Sequence, residues 1–264
     1  MVDDRMVLLA AGLVAGVLGG LLGIGGGIVL MPVLRFVLGL PPADAAGTCV
    51  VAVFCTTLGG GIKHYRLGHV PLSALMPVVL AGVFSTMLFS LVFVQLAQKA
   101  NWLDLGIGMV FMLVAMRMLW DGVQSRHRET GSVSTPSPTL GGIQTRKITL
   151  GFIAGVLPGL FGIGTGAILV PGFSYLLRMP IKVAIGSALV CFCANAMISA
   201  MAKYAQGYVH LGIALPVCLG CLVGAQLGAA INHRVPSALL KILFGLVFSW
   251  VSLRFISTGL EIAR

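Results

Sequence analysis

Residues 12 to 32 read GLVAGVLGGLLGIGGGIVLMP, and residues 151 to 171 read GFIAGVLPGLFGIGTGAILVP. Thirteen of these twenty-one positions are identical at an offset of 139, without a gap. The same offset pairs Pro41 with Pro180, Gly47 with Gly186, Tyr65 with Tyr204, Gly68 with Gly207, Val70 with Val209 and Pro77 with Pro216, so one register holds over more than sixty residues. A self-similarity of this length organises the whole chain. It predicts a first repeat over residues 1–120, a linker over 121–147 and a second repeat over 148–264.

Both quoted stretches are apolar, and so is nearly everything around them. The 264 residues are 58% hydrophobic and 9% charged, and the mean hydropathy is +1.04. A soluble domain does not have that composition. A bilayer core of about 30 Å takes roughly 20 apolar residues to cross as a helix. The apolar runs lack the two-residue alternation of barrel strands, and helices satisfy every backbone hydrogen bond in lipid. The expected class is all-α, a polytopic integral membrane protein of two homologous repeats.

Each repeat is expected to hold about five helical segments: 6–22, 28–40, 45–62, 71–95 and 102–120, then 148–162, 167–178, 183–202, 209–230 and 237–258. The start, Met1 to Arg5, lacks the positive leader of a cleaved signal peptide, so 6–22 is read as a retained segment. As one straight helix residues 6–40 would run about 52 Å, well beyond the bilayer. The chain therefore breaks at the glycines, either folding back as a hairpin or crossing once. The linker, rich in Ser, Thr, Pro and Gly with Arg126, His127, Arg128, Arg146 and Lys147, reads as a disordered cytoplasmic connector. With Trp102 and Trp120 bracketing one span, the positive-inside rule favours the hairpin, which places the two halves in inverted orientation with both termini outside.

The net charge of +10 comes from short Lys/Arg clusters between apolar segments, which suits membrane orientation and gives no basic face for nucleic acid. Asp3, Asp4, Asp44, Asp104, Asp121, Glu129 and Glu261 all fall near segment ends or in polar stretches, which argues against a cation pump with a buried carboxylate relay. All six cysteines lie in apolar segments. A thiol carrier with repeat symmetry would place a reactive Cys in each half, yet Cys49 and Cys55 map onto Ala188 and Ala194. No catalytic residue, cofactor or metal set is expected.

Paired, interrupted membrane segments mark the substrate site of a transporter. Gly permits close backbone approach, so the amides of Gly25, Gly26, Gly27, Gly164, Thr165 and Gly166 can converge on an anion at helix N-termini. Packing is the competing reading, and it is the one taken for Gly12, Gly16, Gly20, Gly151, Gly155 and Gly159 at four-residue spacing. Thr48 and Ser187 are matched hydroxyls that either cap their helices or face a ligand. Asn195, an amide deep in a span, needs a partner on another helix or on the cargo. His64-Tyr65 and Lys203-Tyr204 are matched pairs whose basic members either snorkel to the interface or form an electrostatic funnel that gates an anion.

The duplicated glycine motif, the helices opening at Gly47-Thr48 and Gly186-Ser187, and Tyr-x-x-Gly at 65–68 and 204–207 resemble the TauE/SafE family of sulfite exporters over nearly the whole chain outside the linker. The resemblance implies export or passage of small anions, chiefly sulfite, sulfonates and related sulfur compounds, in the bacterial cytoplasmic (inner) membrane. Thr165 and Pro158 depart from the first-half pattern. The function expected is secondary transport of a small anion by alternating access, with a passive anion channel and a membrane thiol-redox carrier as alternatives. The expected partners are the small anionic solute, the lipid bilayer and, in a homo-oligomer, further copies of the chain.

Overall fold

The computed structural model describes residues 2–68, 70–125, 140–231 and 237–261. The first half runs through α1 (Val2–Leu22), α2 (Gly27–Pro32) with a π-helical turn (Val33–Val37), α3 (Pro42–Arg66), α4 (Leu72–Ala97) and α5 (Ala100–Ser125). The second runs through α6 (Leu140–Phe161), α7 (Gly166–Pro171) with a π-helical turn (Gly172–Leu176), α8 (Ile181–Ala205), α9 (Leu211–Ile231) and α10 (Ser237–Glu261), the same element order. Among the described residues there is no strand, and five helices are long and apolar enough to cross a bilayer. The chain is an all-α polytopic membrane protein.

Local chemistry explains the element ends. Pro32 and Pro171 lack the amide that would continue an α-helical ladder, and each is followed by a π turn closed by Leu38 N to Val33 O at 3.0 Å or Leu177 N to Gly172 O at 3.3 Å. The extended Pro41 and Pro180 then start α3 and α8. The Tyr-x-x-Gly motif is a helix stop: Gly68 N bonds Tyr65 O and Gly207 N bonds Tyr204 O, both at 3.0 Å, with both glycines at positive φ. Helix also reaches into both ends of the expected linker, because α5 continues to Ser125 and α6 begins at Leu140. The turn at Gln144 to Arg146 is exposed, where water can satisfy its polar groups. Arg126, His127, Arg128, Glu129 and Arg234 lie outside the described residues.

The contacts divide the chain into two compact units, Met1–Gln98 with Leu140–His233, and Lys99–Thr139 with Arg234–Arg264. In the first, Gly12, Gly16 and Gly20 of α1 abut the backbone of Val217, Cys221 and Ala225 on α9, while Gly151, Gly155 and Gly159 of α6 abut Val78, Gly82 and Thr86 on α4. These four-residue stripes let the helices approach to backbone contact, the small-residue mode of membrane packing. In both pairs the numbers rise together, so the helices run parallel. Gly47 at Tyr208 and Gly59 at Leu222 show α3 parallel to α9; Asn195 at Gly82 and Gln206 bonded to Ser90 O at 2.9 Å show α8 parallel to α4.

Two three-helix bundles result, α1–α9–α3 and α6–α4–α8. They meet along α3 and α8, which cross in opposite directions: Thr57 stands beside Cys193, and four residues on Gly61 faces Val190. The row α1, α9, α3, α8, α4, α6 becomes itself in reverse when each helix is exchanged for its counterpart at the 139-residue offset. Each bundle thus takes helices from both halves of the sequence. Gly26 lies against Ala15 and Gly19, so the chain doubles back after α1, as the hairpin alternative requires. Met76, Leu80, Phe84 and Leu88 on α4, with their counterparts Leu215, Leu219, Val223 and Leu227 on α9, form exposed apolar stripes suited to lipid.

In the second unit α5 and α10 run antiparallel, with Gly108 at Phe255 and Gly245 at Leu119. Phe111 stacks on Phe255 at 5.6 Å and meets Phe248 edge-on at 6.0 Å. Ser252 Oγ donates to Gly108 O at 2.8 Å. Trp102 and Trp120 are exposed near the two ends of α5, the positions expected of interfacial rings.

Candidate functional site

Both glycine loops are buried at the seam between the bundles. They pack on each other. A methyl group on Gly164 would strike Ile24 O, one on Gly166 would strike Gly23 O, and one on Gly27 would lie 3.1 Å from Gly164 N. The Phe192 ring of α8 lies against both loops, at Gly25 and Gly164. Cys49 Sγ donates to Gly27 O at 3.5 Å. Close backbone approach is therefore one reason for glycine here.

Conformation is the other, and it separates the two loops. Gly26 has φ of 71°, a left-handed value, whereas its counterpart Thr165 has φ of −96°. A side chain is unstrained at 165 and strained at 26. The departure from the glycine pattern at Thr165 thus adds a hydroxyl to the second loop without backbone cost.

That hydroxyl is buried and unpartnered, as is Ser187 Oγ on α8, the helix against which α7 packs. Neither hydroxyl makes a capping bond. α3 and α8 begin at Pro42 and Ile181, which moves Thr48 and Ser187 into the second turn and overturns the capping reading. Thr48 Oγ1 instead accepts from His210 N, just ahead of α9, at 3.2 Å. His210 in turn pairs with Asp44 at 3.1 Å. Asn195 faces away from the loops toward α4: a Cβ on Gly82 would lie 2.7 Å from its Oδ1, which has no hydrogen-bond partner. Its counterpart Thr56 bonds Ala52 O of its own helix at 3.0 Å and borders Gly26.

The matched basic residues do not snorkel. His64 is buried, and Lys203 is 0% exposed. Lys203 Nζ donates to Pro158 O at 3.0 Å, Gly159 O at 2.7 Å and Ser199 Oγ at 3.0 Å, and lies 4.2 Å from the centre of the Phe93 ring. It turns inward because the last carbonyls of α6 need donors and attract positive charge. Tyr65 and Tyr204, by contrast, are exposed. A groove of about 390 Å³ follows the seam, lined chiefly by Thr57, Gly61 and Tyr65 of α3 and Val190, Cys193 and Met197 of α8. Its floor, Thr57, touches the first loop at Gly25.

Sequence reading missed Phe192, Thr57 and Cys193. Each looks like ordinary span material, and only the α3/α8 crossing brings them to the loops. It also missed a thiol pair, since Cys55 of α3 and Cys218 of α9 are neighbours inside one bundle.

Comparison with known proteins bears on what this arrangement does. The family model described as "Sulfite exporter TauE/SafE" matches residues 8–255. The chain belongs to the TauE/SafE family. Some curated relatives are similar over nearly their whole length: "Probable membrane transporter protein YunE" of Bacillus subtilis is 25% identical, covering 97% of this chain and 98% of that protein. A "Probable membrane transporter protein" of Xylella fastidiosa is 28% identical over 93% and 92% of the respective chains. "Sulfite exporter TauE/SafE family protein 1" of Arabidopsis thaliana is 30% identical, over 46% of this chain and 27% of its own. No solved structure matches. As a TauE/SafE protein the chain is a multi-pass membrane transporter.

Proposed function

We propose that the chain is a secondary transporter of a small anion, a sulfur oxyanion or organosulfonate exported in the manner of sulfite across the bacterial cytoplasmic membrane. The observation that carries this reading is the pair of buried, unpartnered hydroxyls, Thr165 Oγ1 and Ser187 Oγ, on elements beside the two glycine loops. A buried hydroxyl without a partner is costly, and an oxyanion is an acceptor that relieves it. The amides of Gly26 and Gly27 and of Gly164 to Gly166, with Thr48 nearby, complete the proposed cradle; the Gly25 amide donates to Gly19 O, and Asn195 turns toward α4. Modest hydrogen bonds suit a carrier that must release its cargo.

Alternating access would turn on the seam, where loops, groove and bundle boundary coincide. Purified protein in vesicles should exchange external for internal labelled sulfite by counterflow. Ser187→Ala and Thr165→Val remove one hydroxyl each with little change in volume. At about 1.5 to 3 kcal/mol for a hydrogen bond to a charged group, each should raise the half-saturating sulfite concentration roughly 10- to 100-fold at unchanged folded yield. Wild-type kinetics in both variants would remove these hydroxyls from the site.

The inverted orientation of the halves, supported by the opposed α3 and α8, has its own test. Arg66 and Ala205 are exposed counterparts at the ends of these helices. In a cysteine-free background, Arg66→Cys and Ala205→Cys should be labelled by an impermeant thiol reagent from opposite sides of the membrane. Labelling of both from one side would end the inverted reading.

A further inference from the structure

Lys203 is a lysine within one turn of a helix end, where the long stem ordinarily carries the ammonium out to the headgroups. Here it is fully buried, and its partners are all neutral: two carbonyls, one hydroxyl and an aromatic face. No carboxylate of the described residues pairs with it. A neutral donor would serve the α6 carbonyls without the cost of desolvating a full charge. Ser199 already does so, donating to Pro158 O at 2.6 Å. Helix capping thus accounts for a donor at this place and leaves the charge unexplained.

The position of the charge supplies the reason. Gly159 is three residues before Gly162, where the second loop opens. Lys203 also stands within electrostatic range of Cys49, whose thiol bonds the carbonyl of Gly27 in the first loop. A basic side chain held only by neutral groups therefore stands beside both loops, in surroundings of low polarity where the field of its protonated form is weakly screened. Its partners lie on α4, α6 and α8, all in one bundle, so motion at the seam leaves it in place.

We infer that Lys203 is the fixed counter-charge of the anion site and makes the transporter favour doubly over singly charged anions. This rests on the reading that the cargo is an anion. The experiment measures binding to the purified full chain by calorimetry, with sulfate and thiosulfate as dianions and nitrate and methanesulfonate as monoanions. Wild-type protein should bind the dianions at least tenfold more tightly. Lys203→Gln, which keeps donors and loses charge, should cost the dianions tenfold or more and the monoanions threefold or less, while Lys203→Arg retains the preference. Ser199→Asp offers a second route, because a carboxylate 3.0 Å from the ammonium neutralises it and should produce the same selective loss with Lys203 present. A wild type that binds dianions no better than monoanions, or a folded Lys203→Gln or Ser199→Asp protein that keeps the wild-type ratio, overturns the inference. A wild type that binds none of these anions overturns the anion reading itself.

Discussion

Joining Gly61→Cys to Val190→Cys by a disulfide is expected to stop transport completely, and reduction to restore it. A Cβ on Gly61 would lie 3.9 Å from the Val190 Cα and 3.4 Å from its Cγ2, close enough for a bridge whose Cβ atoms sit about 3.5 to 4.5 Å apart. The bond would tie α3 to α8, the boundary between the two bundles. Within each bundle, α1 on α9 and α6 on α4 meet backbone to backbone, so relative sliding would collide main chain with main chain. The seam is different. It carries side chains, the two loops and an open groove, and so is the place where a rigid-body step can occur. The control is the native pair Cys55 and Cys218, which links α3 to α9 within one bundle; oxidising it in a chain without the other cysteines should leave transport at the wild-type rate. Labelled sulfite counterflow before oxidation, after it and after reduction measures both. A passive anion channel needs no motion at the seam, so a locked Gly61–Val190 protein that conducts at full rate would replace the carrier by the channel.

Much of this architecture is legible in the duplicated stretch. Its four-residue glycine spacing marks the packing faces of α1 and α6, and the Gly cluster marks the break, because both follow from local sterics. Which helix receives each face is not legible. The 139-residue offset relates α1 to α6 but carries no information about neighbours, and every span is apolar on all sides, so hydropathy cannot order the row. The interleaving of α9 with α1 and α3 is for that reason invisible in the sequence. The site shows the same division. Thr165 and Ser187 stand out as hydroxyls in matched, interrupted segments. The burial of Lys203 does not stand out, because a lysine at a helix end reads as an interfacial anchor until the carbonyls of α6 are seen beside it. Asn195 reads in the sequence as equally open to cargo or helix contact, and only the missing side chain of Gly82 draws it toward α4.

Gly155→Val should abolish recovery of folded protein, whereas Gly212→Val should have no effect. A Cβ at 155 would strike the Gly82 carbonyl oxygen and lie 2.8 Å from Ser85 Cβ and 3.0 Å from Thr86 N. Two of those three atoms belong to main chain, which cannot turn aside, so α4 and α6 must separate. Separation also breaks the bond from Thr86 Oγ1 to Gly155 O, 3.0 Å in the native packing. Overpacking costs about 1 to 3 kcal/mol and more where the obstructing atoms are main chain, and the lost interhelical hydrogen bond adds about 0.6 kcal/mol. Against a typical total stability of about 5 to 15 kcal/mol, that is a large share. Gly16→Val on α1, facing Cys221 and Ala225, should behave in the same way because it occupies the matching place. Gly212, in the first turn of α9, has nothing within 4 Å of its added Cβ and no positive φ, so Val there meets lipid or water. Fluorescence-detected size exclusion and thermal unfolding in detergent distinguish the cases. A Gly155→Val protein that elutes as a single folded species at wild-type yield, with an unchanged Tm, would show that the α4–α6 contact tolerates a wider spacing and that the glycine stripe is not what sets it.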